Sequence, residues 1–276
     1  MGKLIALLTD FGTEDIYVGV MKGVMKKIYP DAEFIDISHD VARQSIHDGA
    51  LMLRNAYHYF PAGTVFLVVI DPTVGSKRRP ILVDAGDYRF IAPDNGILTP
   101  TLNEIGEWHA VELANPDYQL SDGSFTFHGR DIFSPGAAYA ARGDIALSDF
   151  GETITDLITL PTPALTVADG MIKGEITHID HFGNIISNIG KLYWQDNGTL
   201  ELRIGSHTQP INAKTAHMTI TDTRIESIRT AYHEVNTGDL LLQVDSNGYL
   251  EIAINQSNAG ERLNVSIHDT ITLFLE

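Results

Sequence analysis

Apolar residues fall in short blocks through the first half of the chain and in looser alternation through the second. Leu4 to Leu8 is an apolar run closed by Thr9-Asp10-Phe11-Gly12, which predicts a strand and a turn. Val18, Met21, Val24, Met25 and Ile28 recur at helical spacing between Tyr17 and Tyr29, and Pro30 marks the stop. Phe34-Ile35-Asp36-Ile37 predicts a second strand, ending in Ser38-His39-Asp40. Ser45 suits a helix N-cap, with Asp48 where a capping box usually places Glu or Gln, and this helix is expected to reach Tyr59. Pro61-Ala62-Gly63 turns the chain into Val65-Phe66-Leu67-Val68-Val69-Ile70, a run apolar enough for a strand buried on both faces. Strand, helix, strand, helix, strand is the pattern of a parallel sheet with right-handed crossovers.

Ile81-Leu82-Val83 and Arg89-Phe90-Ile91-Ala92 predict a hairpin around Gly86-Asp87, and Pro93-Asp94-Asn95-Gly96 a turn that opens a short helix. Pro135 to Arg142 predicts an Ala-rich helix with Pro in its first turn. Leu160-Pro161-Thr162-Pro163-Ala164 has no period and reads as a linker. Beyond it come short strands, Gly174 to Ile179, Ile185 to Ile189, Leu200 to Ile204, Leu240 to Val244, Tyr249 to Ile254 and Ile271 to Leu275, with no helix. Turns separate them at Asp196-Asn197-Gly198, Asn236-Thr237-Gly238-Asp239 and Ser246-Asn247-Gly248. The expected architecture is an α/β domain over 1–163, with a mostly parallel sheet flanked by helices, and a smaller antiparallel β-barrel or sandwich over 170–276.

Composition narrows the function classes. The 276 residues carry 19 Lys and Arg against 36 Asp and Glu, a formal charge of -17 with no basic stripe, which argues against a nucleic-acid partner. With no cysteine there is no disulfide, thiolate metal site or cysteine nucleophile. The N-terminal apolar run is too short for a signal peptide or a membrane span. The Met1-Gly2 start only weakly resembles a myristoylation signal, since the first strand follows at once. A soluble cytoplasmic protein without a membrane partner is expected.

Asp10, Asp36 and Asp71 stand at or near the ends of the first three predicted strands. In a parallel sheet that edge is where ligands bind, although a single strand-end Asp often only starts a turn. The G-x-G-x-x-G fingerprint is absent after Asp10, which disfavours a dinucleotide. Of 11 histidines, His39, His128, His178 and His181 sit beside turns or strand ends, but their spacings match no zinc motif. His128, between Phe127 and Gly129, has a ring that is packed on one side and open on the other, or is simply structural. Asp180-His181-Phe182-Gly183-Asn184 offers an acceptor, an aromatic plane and an amide suited to a purine edge, in a turn type common among β domains.

Seven short motifs occur in order: Thr9-Asp10-Phe11-Gly12, Ile37-Ser38-His39, Asp71-Pro72-Thr73-Val74-Gly75-Ser76-Lys77-Arg78-Arg79, Pro93-Asp94-Asn95-Gly96, Thr126-Phe127-His128-Gly129-Arg130-Asp131, the Asp180 turn, and Gly248-Tyr249-Leu250-Glu251-Ile252-Ala253. Together, over nearly the whole chain, they resemble the S-adenosyl-L-methionine (SAM) hydroxide adenosyltransferases, or SAM hydrolases, relatives of the fluorinase and chlorinase. The resemblance implies a homotrimer with active sites between subunits. It implies catalytic roles for Asp71, Arg78 and His128, and a ribose contact at Asp10. Adenine and methionine contacts fall on Asp180, Asn184 and the Ser246 turn, with Phe11, Phe182 and Tyr249 beside them. SAM would be substrate rather than cofactor, adenosine a product, and no metal would take part. Two positions depart from the pattern: Asn247 stands where the halogenases have arginine, and Thr73 where the family usually has glycine.

The implied reaction is attack of water on C5′ of SAM, giving adenosine and L-methionine. The sulfonium leaves as a neutral thioether and needs no acid, so the demand falls on aiming and deprotonating water. Asp71 or His128 could accept that proton, and Arg78 could favour developing hydroxide. A halogenase, a non-catalytic adenosine or SAM sensor and a metal-dependent hydrolase are the alternatives. A carboxylate at Asp71 opposes halide, and a binder has no use for a water-activating trio.

Overall fold

A computed structural model of the chain describes residues 4–168, 170–195, 198–204 and 207–275. The Met1-Gly2 start and the first two residues of the Asp196-Asn197-Gly198 turn lie outside them. The chain divides into two units, Met1–Leu160 and Pro161–Glu276.

The first unit carries strands β1 (Leu4–Thr9), β2 (Glu33–Ser38), β3 (Val65–Val69), β4 (Pro80–Ala85), β5 (Tyr88–Pro93), β6 (Trp108–Glu112) and β7 (Thr153–Ile154). Its helices are α1 (Tyr17–Ile28), α2 (Ile46–Ala56), α3 (Thr99–Ile105) and α4 (Ser134–Arg142). The sheet order is β2-β1-β3-β5-β4-β6-β7. β1 pairs in parallel with β2 and β3, β3 with β5, and the β4–β5 hairpin turns the rest antiparallel.

Strand periodicity decides the two cores. Ile5, Leu7, Val65, Leu67 and Val69 point to one face and bury against Met21 and Met25 of α1 and the alanines of α4. Ala6, Leu8, Phe66, Val68 and Ile70 point to the other and meet Ala50 and Leu53 of α2 and Leu102 of α3. Every residue of β3 is therefore buried, as its unbroken apolar run predicts. Each fully buried side chain of this size contributes about 1.5–3 kcal/mol. The side chain of Ser45 caps α2, accepting from Asp48 N at 3.3 Å.

Asp36 departs from its expected place. It lies within β2, level with Leu7, and so falls short of the strand ends where Asp10 and Asp71 sit. Its carboxylate instead accepts from Lys22 Nζ of α1 at 2.6 Å and lies 3.1 Å from His39 Nε2. The exposed edge strand β2 gives that charge an ion-pairing role on the solvent side.

The second unit is built from β8 (Thr166–Ala168), β9 (Met171–Ile179), β10 (Ile185–Gly190), β11 (Leu192–Trp194), β12 (Thr199–Ile204) and β13 (His207–Asn212). β14 (His217–Ile220), β15 (Thr223–Glu226), β16 (Ile228–Arg229), β17 (Leu240–Val244), β18 (Tyr249–Ile254) and β19 (Thr270–Phe274) complete it. Its main sheet runs β15-β14-β19-β9-β10-β18-β17-β16, with β8 on β9, and β15 returns beside β17 to make a nearly closed barrel. β11, β12 and β13 form a separate antiparallel sheet. Alternate residues such as Ile172, Ile176, Ile185, Ile189, Leu250 and Ile252 fill one core. Contrary to the helix-free expectation, a short helix, α5 (Ala259–Leu263), follows β18, with the Asn258 side chain capping it through Glu261 N at 2.8 Å.

Candidate active site

Parallel pairing places Thr9 beside Val69 and Leu67 beside Ile91, so the loops after β1, β3 and β5 gather at one edge of the first sheet. The loop after β3 begins with Asp71 and closes with Arg78. Asp71 Oδ2 accepts from Arg78 Nε at 2.9 Å and from Nη2 at 2.5 Å. The two side chains are only 4% and 6% exposed. The guanidinium lies over the Phe133 ring, 5.0 Å from its centroid. Gly75 lets the loop turn at φ +80, and a Cβ there would stand 2.5 Å from the carbonyl oxygen of Phe125.

Arg78 also reaches His128, with Nη2 2.8 Å from Nδ1. Arginine has only donors, so Nδ1 must accept, which puts the proton of the neutral ring on Nε2. Burial, then the charge of Arg78, hold His128 below the usual imidazole range against the opposing pull of Asp71 and Asp131. His128 opens a π turn, Gly129–Phe133, that runs straight into α4. Ser134 Oγ donates to Gly129 O at 2.7 Å within it. Buried Asp131 accepts from Ser124 N at 2.7 Å and from Arg130 Nε at 2.6 Å, tying the preceding loop to this turn.

Asp71 and His128 line a cleft of about 170 Å³ with Phe11, Tyr17, Val74 and Phe127. Phe11, Tyr17 and Phe127 meet edge to face at centroid distances of 5.2 to 6.1 Å. Tyr17 and Phe127 are additions to the sequence-derived set. Phe127 is signalled by its place before His128, whereas Tyr17 reads in sequence only as the start of a helix. Asp10 is not among the cleft residues; its Oδ2 accepts from Gln44 N at 2.8 Å.

In the second unit, Asp180 stabilises its own turn. Its Oδ1 accepts from Phe182 N at 2.9 Å and Asn184 N at 2.8 Å, and Oδ2 from Asn184 Nδ2 at 3.0 Å. Phe182 is 75% exposed. Phe182 and Asn184 border a broad cleft with Tyr232 and residues 254–258. Beneath it, Tyr232 OH donates to buried Glu251 at 2.9 Å, and Gln243 Nε2 donates to the same oxygen at 2.6 Å. Burial, with the nearby Glu251 charge, pushes the Tyr232 hydroxyl up to about 12. Burial also raises Glu251 above the usual carboxylate range, though Gln243 and Tyr232 pull it back. Tyr232 carried no sequence signal beyond polarity, and Glu251 stood out only as part of the Gly248-Tyr249-Leu250-Glu251-Ile252-Ala253 motif.

Ser246 and Tyr249 lie elsewhere in this unit. Register pairs Ile185 with Ile252 but Gly190 with Tyr249, so the Ser246 turn sits at the opposite end of β18 from the Phe182 turn. The Tyr249 ring is buried against Gly190, with Lys191 Nζ 5.2 Å from its centroid. Among the described residues, no three His, Asp or Glu side chains converge as metal ligands.

Comparisons with known proteins agree with these motifs. Residues 5–151 match the SAM hydroxide adenosyltransferase N-terminal domain and residues 174–272 its C-terminal domain. A (R)-S-adenosyl-L-methionine hydrolase of Salinispora arenicola is 34% identical over 97% of this chain and 96% of its own length. One of Methanocaldococcus jannaschii is also 34% identical, over 98% of this chain and 95% of its own. A fluorinase of Actinoplanes sp. is 28% identical over 98% of this chain and 97% of its own. A crystal structure of a conserved Thermotoga maritima protein superposes with a TM-score of 0.85 at 34% identity, covering 98% of this chain and 99% of that one. The chain belongs to the SAM hydroxide adenosyltransferase family, whose named members are SAM-processing enzymes.

Proposed function

We propose that the protein hydrolyses SAM at C5′, with water as nucleophile, to adenosine and L-methionine, without a metal ion. The observation that carries this reading is the Asp71–Arg78–His128 cluster at the wall of an aromatic cleft.

The donor inventory supports a division of roles. His128 has Nδ1 engaged by Arg78, so it faces water with Nε2–H and can orient it but not deprotonate it. Asp71 Oδ2 is taken by Arg78, while Oδ1 has, among the described residues, only the Thr73 hydroxyl, at 3.4 Å. That leaves Oδ1 as the proton acceptor. As the C–O bond forms, the attacking oxygen becomes far more acidic than water, so a carboxylate is base enough. The electron pair of the C–S bond leaves with sulfur, the sulfonium becomes a thioether, and the proton passes through Asp71 to solvent. Arg78 holds both partners and supplies fixed positive charge beside the developing hydroxide. Phe11, Tyr17 and Phe127 suit the sugar and base flanks of a nucleoside, and the Asp180 turn with exposed Phe182 suits the adenine or the amino acid arm. The (R) sulfonium in the relatives' names is proposed as the preferred epimer here, and a cytoplasmic homotrimer as the working assembly.

The test is incubation with each SAM epimer in heavy-oxygen water, with chelator and with added chloride or fluoride. Adenosine labelled at its 5′ oxygen, formed in chelator and preferentially from the (R) epimer, is the expected result. A halo-deoxyadenosine would establish halogenation instead, and tight binding without turnover would establish a sensor. Light scattering reads the assembly, and a monomer would overturn the trimer.

A further inference from the structure

We infer that the Asp94–Asn95 turn and Arg79 form a clasp that holds both ends of the loop carrying Asp71 and Arg78, making them positioning residues for the proposed reaction. The inference rests on the hydrolase reading for its kinetics, but its geometry stands apart from it.

The loop leaves the sheet at Ile70 and returns at Arg79. Asn95 Nδ2 donates to Ile70 O at 2.9 Å, one peptide before Asp71. Its own Oδ1 accepts from Ile97 N at 3.2 Å, which fixes the amide orientation. At the other end, Asp94 N donates to Arg79 O at 2.9 Å, one residue after Arg78. The Asp94 carboxylate, 2% exposed, accepts from Arg79 Nε at 2.9 Å and Nη2 at 2.6 Å. Asp94 Oδ1 takes Ile158 N at 2.9 Å, so its orientation is set from behind as well. Arg79 also donates to the side chain and carbonyl of Asp156, both at 2.8 Å.

Two adjacent arginines thus face opposite ways. Arg78 turns in to Asp71 and His128, and Arg79 turns out to the clasp. Main-chain register explains the arrangement: Pro80 pairs with Pro93 at the end of the β4–β5 hairpin, so the turn after β5 and the loop before β4 start from the same rung. Between the clasped ends the tip at residues 72–77 is exposed, with Val74 at the cleft and Gly75 against the Phe125 carbonyl. The distance between Asp71 and Arg78, and through Arg78 the ring of His128, is therefore set from outside the cleft.

The test pairs Asn95→Ala and Arg79→Lys with Asp71→Asn. Each single clasp variant should lower kcat between about tenfold and a hundredfold, the scale of a small misplacement of reacting groups. KM for SAM should stay within about threefold, because Arg79, Asp94 and Asn95 do not line the cleft. In the Asp71→Asn background, where single-turnover measurements read the residual rate, Asn95→Ala should bring no further loss. Ring nitrogen NMR of His128 gives a readout independent of activity: the free protein should show the Nε2–H tautomer, and Asn95→Ala should average it with the other. A kcat unchanged in both folded clasp variants, losses that multiply with Asp71→Asn, or an unaltered His128 tautomer overturns the clasp. Full activity in Asp71→Asn alone overturns the hydrolytic role of Asp71 instead, and the NMR comparison still decides the clasp.

Discussion

Replacing Arg78 by methionine should destabilise the first unit far more than loss of an ordinary surface arginine. Asp71 is 4% exposed and receives two hydrogen bonds from Arg78, so removing the guanidinium strands a buried charge. Breaking such a pair from one side costs about 3–5 kcal/mol, whereas replacing both partners by uncharged residues of similar volume costs much less. For a domain of this size 1 kcal/mol corresponds to about 2–4 °C of midpoint, so Arg78→Met should lower the first unit's thermal transition by roughly 6–20 °C. Arg78→Met combined with Asp71→Asn should recover most of that loss while turnover stays absent, which separates stability from chemistry. Arg142 is the internal control: its partner Asp144 is 57% exposed, and Arg142→Met should move the midpoint by no more than about 4 °C. Scanning calorimetry with a probe assigned to the first unit reads all three. Equal shifts for Arg78→Met and Arg142→Met, or a double variant no better than the single, would refute the buried-pair reasoning.

The acid limb of kcat/KM should lie below pH 6.5, because the His128 pKa is lowered from that value and the ring must be neutral to accept from Arg78. A limb at or above it would contradict the assigned tautomer. The same shift makes this histidine's share of stability complete above the unfolded value, and lost as pH falls through the lowered one. Gly129→Ala places a Cβ 3.1 Å from Phe127 and 3.3 Å from Phe11 and from Met21 Sδ, so the rings must shift into the cleft. KM for SAM should rise roughly tenfold, read by steady-state kinetics. Glu251 binds its proton more tightly folded than unfolded, so its share of stability is present below the usual 4.5 and lost as pH rises through the raised value. Glu251→Gln keeps an acceptor for Tyr232 and Gln243 and removes that loss. Thermal melts should show it at least as stable as wild type at neutral pH, with the advantage shrinking in acid.

The central strands were legible because their signal is local. β3 is an apolar run, α1 repeats at helical spacing, and both bury what those patterns say they bury. β13 was not legible: His207-Thr208-Gln209-Pro210-Ile211-Asn212 has a proline and few apolar side chains, and only its pairing with β12 makes it a strand. β14, β15 and β16 span only four, four and two residues, too few for an alternation to register. α5 spans a single turn, too short for a period to register. At the site, residue types at strand ends could be read, but which side chains meet could not. His128 lies 50 residues from Arg78, and the ordered motifs supplied that pairing before any geometry did. Asp36 misled because a strand-end acid and an edge-strand acid look alike until register is known.

The π turn at 129–133 is an angular offset as well as a bulge. One residue beyond the α-helical count rotates everything before it by roughly 100° about the axis of α4. The buried alanines of α4 anchor the far side of that offset and would hold the helix in place without it. Deleting a single residue from the turn would therefore restore a regular helix on an intact scaffold and swing His128 out of reach of Arg78. In a lineage or a library, activity and fold at this position are separable by one codon.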